Sequence, residues 1–165
     1  MSTTNPIDTV TTLTSEGLTL VPVGPADRYH VDGLKPHTVT RPADVEQLAT
    51  TMQVAGRHKM AVAPLGGNTR SDLGNQIDKL DFVVDTTRLN RIVNHNPADL
   101  TATVEAGITV RKLQQELAIH GQFLAVDPPI ANRATVGGTL AVGFSGPLKW
   151  QYGSPRDTVI GMKVV

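Results

Sequence analysis

Residues 64–74 read Pro-Leu-Gly-Gly-Asn-Thr-Arg-Ser-Asp-Leu-Gly and follow a short apolar run, Met60, Ala61, Val62 and Ala63. A chain that leaves a strand into such a bend stops building regular structure there. Gly and Asn accept left-handed backbone angles and carry little side chain, so several main-chain N–H groups can turn toward one point. Upstream, Val45, Leu48, Ala49, Met52 and Ala55 recur at the spacing of one helix face. Pro42 suits the first turn of that helix, Asp44 and Glu46 complement its N-terminal dipole, and Arg57, His58 and Lys59 gather at its far end. With residues 18–23 read as a short strand, the order is strand, helix, strand, loop, the rhythm of an α/β or α+β domain.

The remaining segments extend that order. Residues 1–16 read as a loose polar tail that becomes helical over 6–16, and 24–37 as loop. Residues 80–85 read as a strand, and 91–96 and 100–106 as two more, joined by a turn at Asn96-Pro97-Ala98-Asp99 and stopped by Gly107. A second helix begins near Thr109 with Val110, Leu113 and Leu117 inward, and Gly121 ends it. A short helix is expected over 138–143 with its N-terminus toward a ligand, and a last apolar strand over 158–165. The sequence stops on Val164-Val165, inside that expected strand, so a piece of a larger protein is expected.

Charge and cysteine content narrow the classes. Lys plus Arg and Asp plus Glu are equal at 15 each, so there is no basic footprint for nucleic acid or a membrane surface. An anionic ligand has to be held by local amides and a few placed side chains. With no cysteine, disulfides, thiol nucleophiles and iron–sulfur ligation by this chain are excluded. No basic segment followed by an apolar one opens the chain, and no run approaches the ~20 apolar residues of a membrane span, so the default expectation is cytoplasmic.

A second bend, Thr135-Val136-Gly137-Gly138-Thr139-Leu140-Ala141, has the character of the first. Two backbone-lined anion sites suggest a ligand with more than one phosphate, such as a dinucleotide. Neither bend is a G-x-G-x-x-G opening a helix, and no G-K-[ST] follows the glycines. Taken singly, such a bend is more often only a turn.

Their order is more specific. Asp127-Pro128-Pro129, then the second bend, then Ser145-Gly146-Pro147, then Tyr152-Gly153-Ser154-Pro155-Arg156-Asp157 follow the first bend in series. From about His37 to Val165 this succession resembles the FAD-binding domain of the p-cresol methylhydroxylase and vanillyl-alcohol oxidase superfamily, and within it the FAD-binding subunits of bacterial glycolate oxidases. The resemblance implies a domain over 37–165 and a tail and loop region over 1–36. It implies an α+β fold of the PCMH-like type, two small subdomains around a mixed sheet with FAD between them, C-terminally incomplete.

Residue by residue, the resemblance implies that Pro64, Gly66, Gly67, Asn68, Thr69 and Arg70 wrap the FAD pyrophosphate. Asp127, Pro128, Thr135, Gly137 and Gly138 would run from the pyrophosphate toward the isoalloxazine, with Ala141, Ser145 and Gly146 continuing that wall. Tyr152, Gly153 and Arg156 would close the pocket, against a plainer reading of Tyr152 as core and Arg156-Asp157 as a surface ion pair. Some relatives carry a flavin-linking histidine where Asn68 stands, so non-covalent FAD is implied here.

The implied chemistry is oxidation of a 2-hydroxy acid such as glycolate or lactate, its α-hydrogen leaving as hydride to the flavin. An iron–sulfur subunit and a second flavin subunit are the implied partners. Catalytic residues are expected beyond Val165, with weak or no FAD retention by this chain alone. A non-catalytic binding or assembly subunit and an unrelated α/β domain with ordinary turns stay open. His30, His37, His58, His95 and His120 show no metal-ligand spacing, and Gly143-Phe144-Ser145-Gly146 falls short of a nucleophile elbow.

Overall fold

The apolar run at residues 82–84 becomes the centre of a four-stranded sheet. The computed structural model describes residues 6–22, 27–143 and 145–165; of the expected elements, residues 1–5 of the tail, Val23 of the first strand, residues 24–26 of the loop and Phe144 lie outside these. The chain divides into two units, one of residues up to 65 with 71–88 and 165, the other of 66–70 with 89–164.

In the first unit, β1 (Leu20–Val21), β2 (Thr38–Thr40), β3 (Val62–Leu65) and β4 (Phe82–Asp85) lie in the order β1-β2-β4-β3. β1 runs antiparallel to β2, while β4 is parallel to both β2 and β3, with Val83 opposite Val39 and Ala63. Paired on both edges and covered on both faces, β4 is buried along its whole length, as its apolar composition requires. Its side chains alternate. Phe82 and Val84 pack with Leu13, Val54 and Ala55 from α1 (Pro6–Ser15) and α2 (Val45–Arg57). Val83 packs instead with Val31, Val39, Leu65 and Leu80. The expected helix over 6–16 and strand over 18–23 form as α1 and β1, and they are packed in: Leu13 is fully buried and β1 extends the sheet.

α2 begins later than its proline suggested. Asp44 is the N-cap, its carboxylate accepting the Gln47 N–H at 2.8 Å, while the Gln47 side-chain oxygen accepts the Ala43 N–H at 3.0 Å. This reciprocal pair satisfies two main-chain donors at once and leaves Pro42 outside the helix. At the end of β4 the buried Asp85 carboxylate accepts from the Tyr29 hydroxyl (2.9 Å), the Thr87 N–H (2.9 Å) and the Thr87 hydroxyl (2.6 Å), with Arg28 and Arg41 at 3.4 and 3.1 Å. A buried carboxylate persists only with such a set of partners. Burial and the neighbouring Asp85 carboxylate raise the Tyr29 hydroxyl pKa.

In the second unit, β5 (Ile92–Asn96) and β6 (Thr101–Val104) form an antiparallel hairpin. α3 (Val110–Ala118) is capped by the Thr109 hydroxyl and followed by Gly121 at φ +67°. Its Leu113 and Leu117 join Ile108 in a core flanked by Ile92, Val104, Leu124 and Val136. Two short helices follow, α4 (Val136–Val142) and α5 (Lys149–Tyr152).

The expected last strand over 158–165 is not formed. Pro155–Thr158 make a single 3-10 turn, and Ile160, Met162 and Val164 are largely exposed. A strand exists only through hydrogen bonds to a neighbour, and among the described residues none lies beside this segment. No helix among the described residues is long and apolar enough to cross a membrane.

Candidate functional site

The two glycine bends belong to the same unit and touch. A Cβ on Gly66 would lie 2.2 Å from the Thr135 hydroxyl oxygen, and one on Gly67 would lie 1.7 Å from the Arg133 carbonyl oxygen. Only main chain without a side chain comes that close, so both glycines are required by the packing of bend against turn. Asn68 follows at φ +49°, in the left-handed region its side chain tolerates. Across the contact, the Arg133 guanidinium donates to the Gly67 carbonyl at 3.0 Å and reaches the Asn68 carbonyl at 3.4 Å.

The main-chain donors of the two bends have different fates. Val136 N–H donates to the Ile108 carbonyl, Gly137 N–H to Ala106, Gly138 N–H to the Thr135 hydroxyl and Thr139 N–H to the Thr135 carbonyl. The first turn of α4 has therefore spent its amides inside the protein. This corrects the expected start at Gly138 and the expected set of ligand-facing amides there. Gly137 serves closeness instead, since its Cβ would meet Ala106 at 2.7 Å. The first bend is the opposite case: among the described residues, the Gly66, Gly67 and Thr69 amides have no protein acceptor. A half-buried bend rich in undonated N–H is chemically suited to an anion.

The other expected site residues form separate groupings. Asp127 faces Gly146, whose Cβ would lie 2.3 Å from the carboxylate, and accepts the Leu148 N–H at 3.4 Å. Tyr152 is exposed, not core, and meets Phe123 edge to face at 5.3 Å. Gly153, at φ +86°, closes on Asp157. The Asp157 carboxylate accepts both the N–H and the hydroxyl of Ser154 at 2.7 Å, and the Arg156 charge acts on it as well. Those Ser154 bonds hold the Asp157 pKa below the usual carboxylate range. Pro128 is half-buried beside Asp127, Ala141 is exposed on α4, the Ser145 hydroxyl donates to the Gly143 carbonyl at 3.4 Å, Arg70 follows Thr69 in the first bend, and Pro64 lies in β3 of the first unit. Arg133 went unnoticed in the sequence. A single arginine in a turn has no periodicity to mark it, and only the fold brings it to the bend 66 residues away.

A family model described as "FAD binding domain" matches residues 36–165. The chain is 30% identical over 164 residues to D-2-hydroxyglutarate dehydrogenase of Stutzerimonas stutzeri, covering 96% of this chain and 35% of that protein. It is 26% identical over 130 residues to the glycolate oxidase subunit GlcD of Bacillus subtilis, covering 79% and 28%. The chain thus spans between 13% and 35% of the length of the curated relatives it matches. In fold it is similar to berberine bridge enzyme, with a TM-score of 0.72 at 19% identity, covering 94% of this chain and 35% of that one.

Proposed function

The chain belongs to the FAD binding domain family, and from that premise we propose that it is the FAD-binding part of an oxidoreductase acting on a 2-hydroxy acid. The observation that carries this reading is the first bend, where, among the described residues, the Gly66, Gly67 and Thr69 amides have no protein acceptor. A diphosphate asks for several N–H donors in one small arc and for close approach of the backbone, and this bend supplies both. Bound FAD would supply a two-electron acceptor for turning a C–H beside a hydroxyl into a carbonyl.

The chain's own residues divide the work of binding. In this reading Gly66, Gly67, Asn68 and Thr69 donate to the diphosphate, and the Thr69 hydroxyl adds a donor. Gly137 and Gly138, whose amides are already engaged, act with Thr135, whose side chain packs against Gly66, as the wall against which the bend is built. Asp127, Pro128, Ala141, Ser145, Gly146, Tyr152 and Gly153 are assigned to the flavin side of the ligand, with Pro64 and Arg70 flanking the diphosphate; Asn68 offers no link for covalent flavin.

The substrate class follows the relatives: one is named for D-2-hydroxyglutarate and another for glycolate, both of which carry a hydroxyl beside a carboxylate. The subunit character of the second relative supports further chains as partners, an iron–sulfur protein and a second flavin subunit among them. A cytoplasmic location belongs to the same proposal.

Two measurements test it. Equilibrium dialysis of the full polypeptide carrying this chain against FAD is expected to show saturable uptake with release of intact FAD on denaturation; no uptake overturns the cofactor reading. The full polypeptide carrying this chain is expected to reduce an artificial electron acceptor with one of D-2-hydroxyglutarate, D-lactate or glycolate. FAD uptake without turnover of any 2-hydroxy acid would instead make it a binding or assembly subunit.

A further inference from the structure

The Arg133 guanidinium touches two successive carbonyls, Gly67 at 3.0 Å and Asn68 at 3.4 Å. In a trans peptide the C=O and the following N–H point in opposite directions, and no described peptide bond here is cis. The carbonyl of Gly67 belongs to the same peptide plane as the Asn68 N–H, and the carbonyl of Asn68 to that of Thr69 N–H. Drawing both carbonyls to one guanidinium therefore turns the Asn68 and Thr69 N–H groups together to the opposite side of the bend. Asn68 makes this possible. At φ +49° it is in the helical-handed geometry, here left-handed, that lets neighbouring carbonyls face one way. Successive amides sharing a direction form an anion-binding nest.

We infer that Arg133 is a positioning residue for the diphosphate: it grips the carbonyl side of the 67–69 peptides and so presents their amides, without itself contacting the ligand. The inference rests on the cofactor reading above. It gives the cation beside the bend a task other than contact with phosphate. Arg suits the task because its charged terminal nitrogen Nη2, held in the guanidinium plane, carries two N–H donors and reaches both carbonyls. The turn carrying it does not depend on its side chain. Arg133 N–H and Ala134 N–H both donate to the Ile130 carbonyl, Val110 N–H donates to Ala134, and the Arg133 side chain is exposed.

Arg133→Gln separates the possibilities. The variant is expected to keep the wild-type circular dichroism and melting behaviour and to bind FAD about tenfold more weakly, as losing charge-assisted hydrogen bonds implies. The weakening is expected to be the same at low and high salt, since carbonyl alignment is not screened as a charge–phosphate contact is. In the ligand-free protein, the carbonyl-carbon NMR shifts of Gly67 and Asn68 are expected to move upfield in the variant as their hydrogen bonds are lost. Unchanged carbonyl shifts, equal FAD affinity in the two proteins, or a weakening that vanishes at high salt would each overturn the positioning role while leaving the cofactor reading intact. All FAD measurements use the full polypeptide carrying this chain; a wild-type full polypeptide that takes up no FAD overturns the cofactor reading, and this inference with it.

Discussion

Gly67 shows how one position answers to two demands. Its missing side chain was read as room for a ligand, and the structure shows that the room is filled by the Arg133 carbonyl. Packing alone requires glycine there. Gly67→Ala is expected to push the bend off the 133–135 turn and cost about 1–3 kcal/mol, the usual penalty of overpacking, read as a lowered melting temperature. Because the bend moves, FAD uptake should fall in the same variant. Loss of uptake in Gly67→Ala is thus weak evidence of direct contact, which is why Arg133→Gln is the sharper test. Asn68 is the converse case. Its tolerance of left-handed angles was legible from residue type, and its φ of +49° uses that tolerance.

At the scale of elements, the apolar spacing of α2 and α3 located both helices because burial on one face dominates helix placement. Their first residues were set by local hydrogen bonds instead. Asp44 and Gln47 overrode Pro42 as the start of α2, and Asp44→Ala is expected to lower stability by about 1 kcal/mol, measurable by urea unfolding. Gly56 lies in α2 with nothing near the position of an added Cβ. Gly56→Ala is therefore expected to raise stability by about 0.5–1 kcal/mol in the same experiment. The expected strand over 158–165 failed for the complementary reason. A strand is not a property of its own residues, and apolar composition supplies no hydrogen-bonding neighbour.

At the scale of the molecule, each unit carries its own core, with Phe82, Val83 and Val84 central to one and Ile108, Leu113 and Leu117 to the other. The second unit also has a pH-sensitive brace. Glu105 is buried and accepts the Arg91 N–H at 2.8 Å and the Arg91 guanidinium Nε at 3.0 Å, and these bonds lower its pKa. A carboxylate with a lowered folded pKa contributes stability that is complete above its unfolded value and is lost as pH falls through the folded one. The melting-temperature gap between wild type and Glu105→Gln is expected to be constant above about pH 5 and to close as pH drops below about 4, near and under the ordinary Glu pKa.

Sequence alone determined the family, the α+β class and the first bend, because order of motifs, apolar period and glycine placement are properties of the linear chain. Which amides of the two bends remain undonated was decided only in three dimensions. The acceptors that consume the α4 amides, Ala106 and Ile108, and the arginine that turns the 67–69 peptides are distant in sequence or unmarked by pattern. A hydrogen bond is settled by where its partner ends up, and that is a fact of folding, not of composition.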